Sequence, residues 1–301
     1  MAISALPERV PRGDVVAQLN FFSPPADGAV PFNYVDTPPE GEPQRNFNDD
    51  IRDVLIEDIR GRESEFAESP ASLDHNAFLL VQNQPPSAEK DFVDDESIRK
   101  NYYPEVEALL LKHVPGATRV VFFDHTIRRA KKGDVPNTPQ SRGPVLRVHI
   151  DQTAHAAAGR VRRHLPEDEA EAALKGRYRI INVWRPLNKN PVESSPLAFA
   201  SSASVRDEDV ITVEHRYPKE RNFIGQTAGI QYHPDQKWHY LSGMTGDERL
   251  LLECFDSEVL KKDNATVKGG RLAHTAFTDP RSVPDAEGRE SIEVRTLVFG
   301  P

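Results

Sequence analysis

Arg147-Val148-His149-Ile150-Asp151 sets a histidine and an aspartate two residues apart in a stretch rich in β-branched side chains, and Ala273-His274-Thr275-Ala276-Phe277 supplies a second histidine late in the chain. Two imidazoles and one carboxylate are the ligand set that holds Fe(II) in non-haem oxygenases, with the remaining coordination positions open to reactants. An extended strand turns alternate residues to one face, so His149 and Asp151 would project together. A separate strand near the chain end would have to bring His274 against them.

The chain holds ten histidines, so His-x-Asp alone is a weak signal. A second instance, His233-Pro234-Asp235, has proline at its centre. Proline lacks the donor of a strand ladder and points to a turn, which favours the first instance. His215, His233 and His239 compete with His274 as third ligand; in a jelly roll a strand near the chain end is the better source, and His274 meets that condition best. An organic dicarboxylate chelating iron at one end needs a cation at the other, and arginine can grip a carboxylate through two parallel bonds. Arg281, Arg289 and Arg295 qualify. Arg289-Glu290-Ser291 sets an arginine and a hydroxyl on one face of the last strand, so Arg289 with Ser291 is the preferred pair. Arg185 follows Asn182-Val183-Trp184 at the end of a strand expected to line the barrel, where it could hold cosubstrate or substrate. His125, Arg128 and Arg129 form a basic cluster whose plain reading is a solvated loop. The sequence has no Gly-rich phosphate loop, no paired-cysteine zinc pattern and no G-x-S-x-G elbow.

The elements that must position these groups are mostly strands. Phe78–Val81, Arg119–His125, Val145–Asp151 and Tyr178–Trp184 are dense in β-branched and aromatic residues. Val210–Glu214, Ile230–His233, Trp238–Ser242, Leu250–Phe255, His274–Phe277 and Ile292–Phe299 continue the pattern. Helices are expected from Asp94 to Lys112 and from Pro166 to Lys175, each closed by a glycine. The segment 130–144 reads as a loop. With 25 prolines against 17 glycines among 301 residues, stiffened loops separate short strands. A mainly β fold with flanking helices follows: a double-sheet jelly roll, or double-stranded β-helix, of cupin type. Residues 1–50 read as a proline-rich arm without independence, and 51–301 as one oxygenase-sized domain with helices on one sheet.

A net charge of −9 argues against nucleic acid or anionic membrane as partner. No apolar run approaches the ~20 residues of a membrane span, and the first residues lack a secretory pattern. A cytoplasmic protein acting on a small molecule is the expectation, with a homodimer as the commonest assembly. Cys254 is the single cysteine and reads as a buried structural thiol.

Several words in fixed order carry a resemblance. His149-Ile150-Asp151-Gln152-Thr153, Arg160-Val161-Arg162, Ile181-Asn182-Val183-Trp184-Arg185-Pro186-Leu187, Cys254-Phe255-Asp256-Ser257, His274-Thr275-Ala276-Phe277-Thr278-Asp279-Pro280 and Arg289-Glu290-Ser291 stand in order along residues 50–299. Over this span the chain resembles the CmcJ/NvfI-like hydroxylase/desaturases. The resemblance implies a double-stranded β-helix dioxygenase of fungal secondary metabolism that uses Fe(II), 2-oxoglutarate and O2. It supports His149, Asp151 and His274 as ligands, and Arg289 with Ser291 as the cosubstrate anchor. Ala273 stands where the family usually has proline, and His239 where it often has an aromatic residue. His125, Arg128, Trp184 and His239 are the residues expected to face substrate.

Overall fold

In chain order the elements are β1 (Val15–Ser23), β2 (Phe32–Tyr34), β3 (Asn48–Asp58), β4 (Phe78–Val81), α1 (Asp95–Asn101), α2 (Tyr103–His113), β5 (Arg119–Arg129) and β6 (His149–Ile150). They continue as α3 (Ala154–His164), α4 (Glu167–Ala173), β7 (Arg177–Pro186), β8 (Leu197–Ala200), β9 (Val210–Arg216) and β10 (Ile224–Ile230). The last are β11 (Trp238–Tyr240), β12 (Arg249–Asp256), β13 (His274–Ala276) and β14 (Glu290–Gly300). The computed structural model describes residues 9–66, 72–129, 143–217, 224–263 and 266–300. Most of the loop expected over 130–144, and the first eight residues, lie outside them.

Nine strands form one sheet in the order β1-β3-β11-β8-β13-β6-β10-β9-β2, and five form the other in the order β4-β12-β7-β14-β5. The five-stranded sheet is antiparallel throughout; among the described strands β3 pairs in parallel with β11 and β2 with β9, and the bridge from Asn20 to Arg147 is parallel too. The sheets face each other across an apolar interior that includes Phe78, Ile180, Trp184, Phe199, Leu252 and Leu297. This is the jelly roll expected from the strand pattern.

β7 is apolar on both faces because both are covered. Ile180 and Trp184 point into the interior, while Ile181 and Val183 point outward into a cluster with Val106 and Leu110 of α2. Burying each such side chain contributes about 1.5–3 kcal/mol. α1 starts where the Asp94 carboxylate accepts from the Ser97 amide, and α2 follows with proline in its first turn. α3 was not foreseen as a helix. Its signal is Thr153, whose hydroxyl accepts from the Ala156 amide and so caps the run Ala154-His155-Ala156-Ala157-Ala158. Ala157 and Val161 of α3 and Ala170 of α4 close one side of the interior.

β1 was not foreseen as a strand either. Its odd-numbered residues, Val15, Ala17, Leu19 and Phe21, join Val148, Ile150, Ala228 and Trp238 in an apolar cluster on the other face of the nine-stranded sheet. The same ribbon pairs with β3 from Val15↔Ile56 to Ser23↔Asn48 and touches the chain before β6 through a bridge from Asn20 to Arg147.

Candidate metal centre

The residue pair that opens the site comes from the shortest strands. β6 holds only His149 and Ile150, and its His149 lies directly opposite His274 of β13 and Gly229 of β10. Directly opposed residues on antiparallel strands bring their side chains together, and the two imidazole rings stand 4.5 Å apart. After Ile150 the chain leaves the sheet for the Thr153 cap of α3, which leaves Asp151 at the strand end. Ligand atoms of His149, Asp151 and His274 all lie within 4.8 Å of one another. Among the described residues this is the one group of histidine, cysteine or acidic side chains that could hold a metal ion.

Both histidines are held the same way. Nδ1 of His149 lies 2.7 Å from the carbonyl of Arg147, and Nδ1 of His274 lies 3.1 Å from that of Leu272. A carbonyl only accepts, so Nδ1 carries a proton in each ring, which makes Nε2 the atom that could meet a metal. Burial, reinforced by the neighbouring His149, holds the His274 imidazolium pKa down at about 4, so the ring is neutral at pH 7. Asp151 accepts from Asn182 Nδ2 at 2.8 Å and faces Arg295 Nε at 3.6 Å. Burial alone would raise its pKa; His149, Arg295 and His274 outweigh that and hold it well below the usual carboxylate range. Asn182 also donates to Glu293 at 2.6 Å, and Arg295 reaches Asp124 at 3.0 Å. Burial and the Asp151 charge push Glu293 up, against the pull of Arg295. Asn182, Glu293 and Arg295 therefore form a buried polar brace behind Asp151, built by β7 and β14.

Arg289, just before β14, is 2% exposed and lines the same cleft as the three candidate ligands. It stacks over Trp184 at 5.5 Å and donates through Nη1 to the Ser195 carbonyl at 2.7 Å. Its Nε is buried with no partner. Burial, with Arg128 nearby, lowers its pKa to about 9, which leaves it a cation at neutral pH. Ser291 is buried, and β14 alternation turns it to the same inner face as Glu293.

Not every residue expected at the site reaches it. Arg185 shares a face with Ile181 and Val183, so it points out of the barrel, over the rings of Phe92 and Tyr102 at 5.1 and 5.5 Å. The expectation that it holds cosubstrate or substrate is corrected by strand parity. His125 is turned outward too. A bulge in β5 between the partners of Arg295 and Thr296 inserts Phe123 and reverses the alternation beyond it. His125 then meets Tyr103 of α2 at 3.0 Å, while Arg128 turns inward and lines the cleft. Arg128 is thus not on a solvated loop. Trp184 lines the cleft. His239 is on the inner face, but Phe199 stands between it and His274 in the cross-strand row, and its ring packs on Phe66 and Phe78. Arg281 is paired with Asp279 at 2.8 Å, and His233 with the exposed Asp235 at 3.6 Å.

Two groups at the site were not foreseen. The brace of Asn182 and Glu293 gave no signal beyond polar residues inside apolar strands. An aromatic wall of Phe22 and Phe47, with rings 4.8 Å apart, comes from the first fifty residues and lines a cavity of about 290 Å3 beside His149 and Asp151. Gly229 makes room for it: a Cβ there would stand 2.6 Å from the Phe22 ring.

Residues 19–299 match the family described as Oxidoreductase/YMDC permease-like domain. No helix among the described residues is long and apolar enough to cross a membrane. The chain is 39% identical to the hydroxylase/desaturase poxK of Penicillium oxalicum, over 96% of this chain and 92% of that one. It is 32% identical to the Fe(II)/2-oxoglutarate-dependent dioxygenase nvfI of Aspergillus novofumigatus, over 94% and 96% of the two chains. The solved structure of the iron and alpha-ketoglutarate-dependent endoperoxidase NvfI superposes with a TM-score of 0.81 at 30% identity, covering 96% of this chain and 99% of that one.

Proposed function

This chain belongs to the fungal hydroxylase/desaturase family of Fe(II)/2-oxoglutarate-dependent dioxygenases, and we propose that His149, Asp151 and His274 hold its iron while Arg289 and Ser291 hold the far carboxylate of 2-oxoglutarate. The reaction is oxidation of a small-molecule intermediate of secondary metabolism, by hydroxylation, desaturation or oxidative ring formation. One observation carries the residue assignment: three ligand atoms within 4.8 Å of one another open on the cleft that also receives Arg289, whose Nε is buried and unpartnered.

The donor set fits the metal. Two imidazoles and one carboxylate suit Fe(II), and hydrogen bonds in the protein already orient each of them. The cation at Arg289 fits a carboxylate in the same way, since its lowered pKa still leaves it charged at pH 7. When bound, iron with 2-oxoglutarate supplies activation of dioxygen. The chain supplies orientation and dryness. The Arg147 and Leu272 carbonyls fix both histidine rings, and Asn182 with Arg295 keeps Asp151 ionised and aimed. Trp184 under Arg289 keeps water from the cation. The apolar wall of Phe22 and Phe47 gives a substrate a surface to lie on beside the ligands.

A cytoplasmic address and a homodimeric state belong to the same proposal; Cys254 is free and buried, which suits a reducing compartment. Anaerobic addition of Fe(II) and then 2-oxoglutarate to the apoprotein tests the site. The weak visible charge-transfer band of the chelate should form in the native protein and be absent in His274→Ala. Iron binding without that band in the native protein would overturn the cosubstrate assignment.

A further inference from the structure

A second, smaller cavity of about 90 Å3 adjoins the one walled by Phe22 and Phe47. Asp151, His215 and Thr227 line both, so the two are lobes of one space beside the candidate ligands. The lobes differ in chemistry. The larger is faced by aromatic rings. The smaller is floored by α3, which turns Arg160 toward it, with Arg163 one turn on.

Arg160 differs from the other cations around the centre. Arg295 is paired with Asp124 and Glu293, Arg147 with Asp49 at 2.7 Å, and Arg128 donates to the Gly143 carbonyl at 3.0 Å. Arg289 is set aside for the cosubstrate. Arg160 has only the face of Phe123, 4.8 Å from its guanidinium carbon, and no carboxylate of the described residues lies within ion-pair distance. Burial and the charges of Arg163 and Arg295 work against its ionised form, and Asp124 offsets them only in part. A half-buried arginine without a counter-ion is stabilised when an anion enters its cavity. A volume of about 90 Å3 is about three waters' share of liquid, room for a carboxylate and the carbons that carry it.

We propose that Arg160 is the anion anchor for the substrate, and that the substrate is an apolar organic acid whose body lies on Phe22 and Phe47 while its carboxylate enters the lobe under α3. This rests on the iron and 2-oxoglutarate reading of the same centre. It makes Arg160 a specificity-determining residue: it sets which molecule binds and which of its carbons faces the ligands.

The test uses two probes of the same size and shape, the anion 4-phenylbutanoate and the neutral 4-phenylbutanamide. Each is titrated calorimetrically into the iron-loaded protein under nitrogen with saturating 2-oxoglutarate, so that Arg289 is already occupied. A charge-assisted bond in a dry site is worth about 1.5–3 kcal/mol, so the acid should bind about tenfold more tightly than the amide, or better. In Arg160→Gln that preference should collapse to within about twofold. The band of the iron–cosubstrate chelate, recorded in the same samples, separates the two readings. A native protein with the band but with equal affinity for acid and amide, or an Arg160→Gln variant that keeps the preference, overturns the anchor alone. A native protein without the band overturns the reading beneath it.

Discussion

The two sheets contribute to the centre in different ways. The nine-stranded sheet delivers His149 and His274 from β6 and β13, strands of two and three residues. The five-stranded sheet delivers the brace, and Arg289 proposed for the cosubstrate, from β7 and the β14 region, where the strands run ten and eleven residues. Short strands carry little register information, so local bonds from each ring to the backbone carbonyl two residues back do the aiming. β7 and β14 each keep one parity over their whole length, and alternation alone sorts Asn182, Glu293 and Arg295 inward and Val183 and Val294 outward. Ligand aim is a local property here, and ligand support a long-range one.

Variants on the long-strand side probe that contrast. Asn182→Ala removes the amide that joins Asp151 to Glu293. It should weaken Fe(II) binding by about 10- to 100-fold without unfolding the protein, since groups that orient ligands carry effects of that size. Iron affinity by competition with a chromophoric chelator reads it directly, and an unchanged affinity would place the aiming of Asp151 within its own loop. Arg289→Met should raise the KM for 2-oxoglutarate by about tenfold or more, from loss of a charge-assisted contact. Arg185→Met, on the opposite face of the same sheet, should leave that KM alone and lower stability instead. A KM effect at Arg185 as large as at Arg289 would break the parity argument.

The smallest effect concerns acid. His239 is held at about 4 by burial, then by Arg62 and Lys237. The native state leaves this ring neutral while the unfolded chain protonates near 6.5. Its contribution to stability is present above pH 6.5 and is lost as pH falls from there toward 4. Linkage makes the loss about 2 kcal/mol between pH 7 and 5. His239→Phe should reduce the acid loss of the apoprotein by that amount in denaturant midpoints at the two pH values. His274 shows the same depression and should account for a similar share.

Much of this was legible in the residues. His149-Ile150 forms a strand, though one of two residues rather than the run expected from Val145 to Asp151, and Pro234 argued correctly against the rival pair, which the structure leaves at a turn with Asp235 exposed. The strand from Tyr178 to Trp184 and the helix closed by Gly176 are also visible as patterns. What failed to show depends on partners. β1 became a strand because β3 pairs it and the back of the nine-stranded sheet covers its odd-numbered residues, and neither is local. α3 was hidden by its basic end, where Arg160, Arg162 and Arg163 outweighed the alanines and the Thr153 cap. Arg185 was misplaced because a strand with both faces buried shows no alternation to say which way is in. Asn182 and Glu293 look like defects in apolar strands until Asn182 is seen to join Glu293 to Asp151.

The extra residue at Phe123 acts on β5 as a frameshift acts on a message. Upstream of it one set of side chains faces the interior; downstream the other set does, and Arg128 is read into the cleft while His125 is read out to Tyr103. The strand thus stores two alternative linings in one stretch of chain. Ironing out the bulge with Phe123 kept in the ladder would exchange Thr126 and Arg128 for His125 and Ile127 at the wall of the centre, whereas deleting Phe123 would close the ladder and leave both in place. Related chains of the same length that pair this strand without the bulge would present unlike cavities to their substrates while looking nearly identical in alignment.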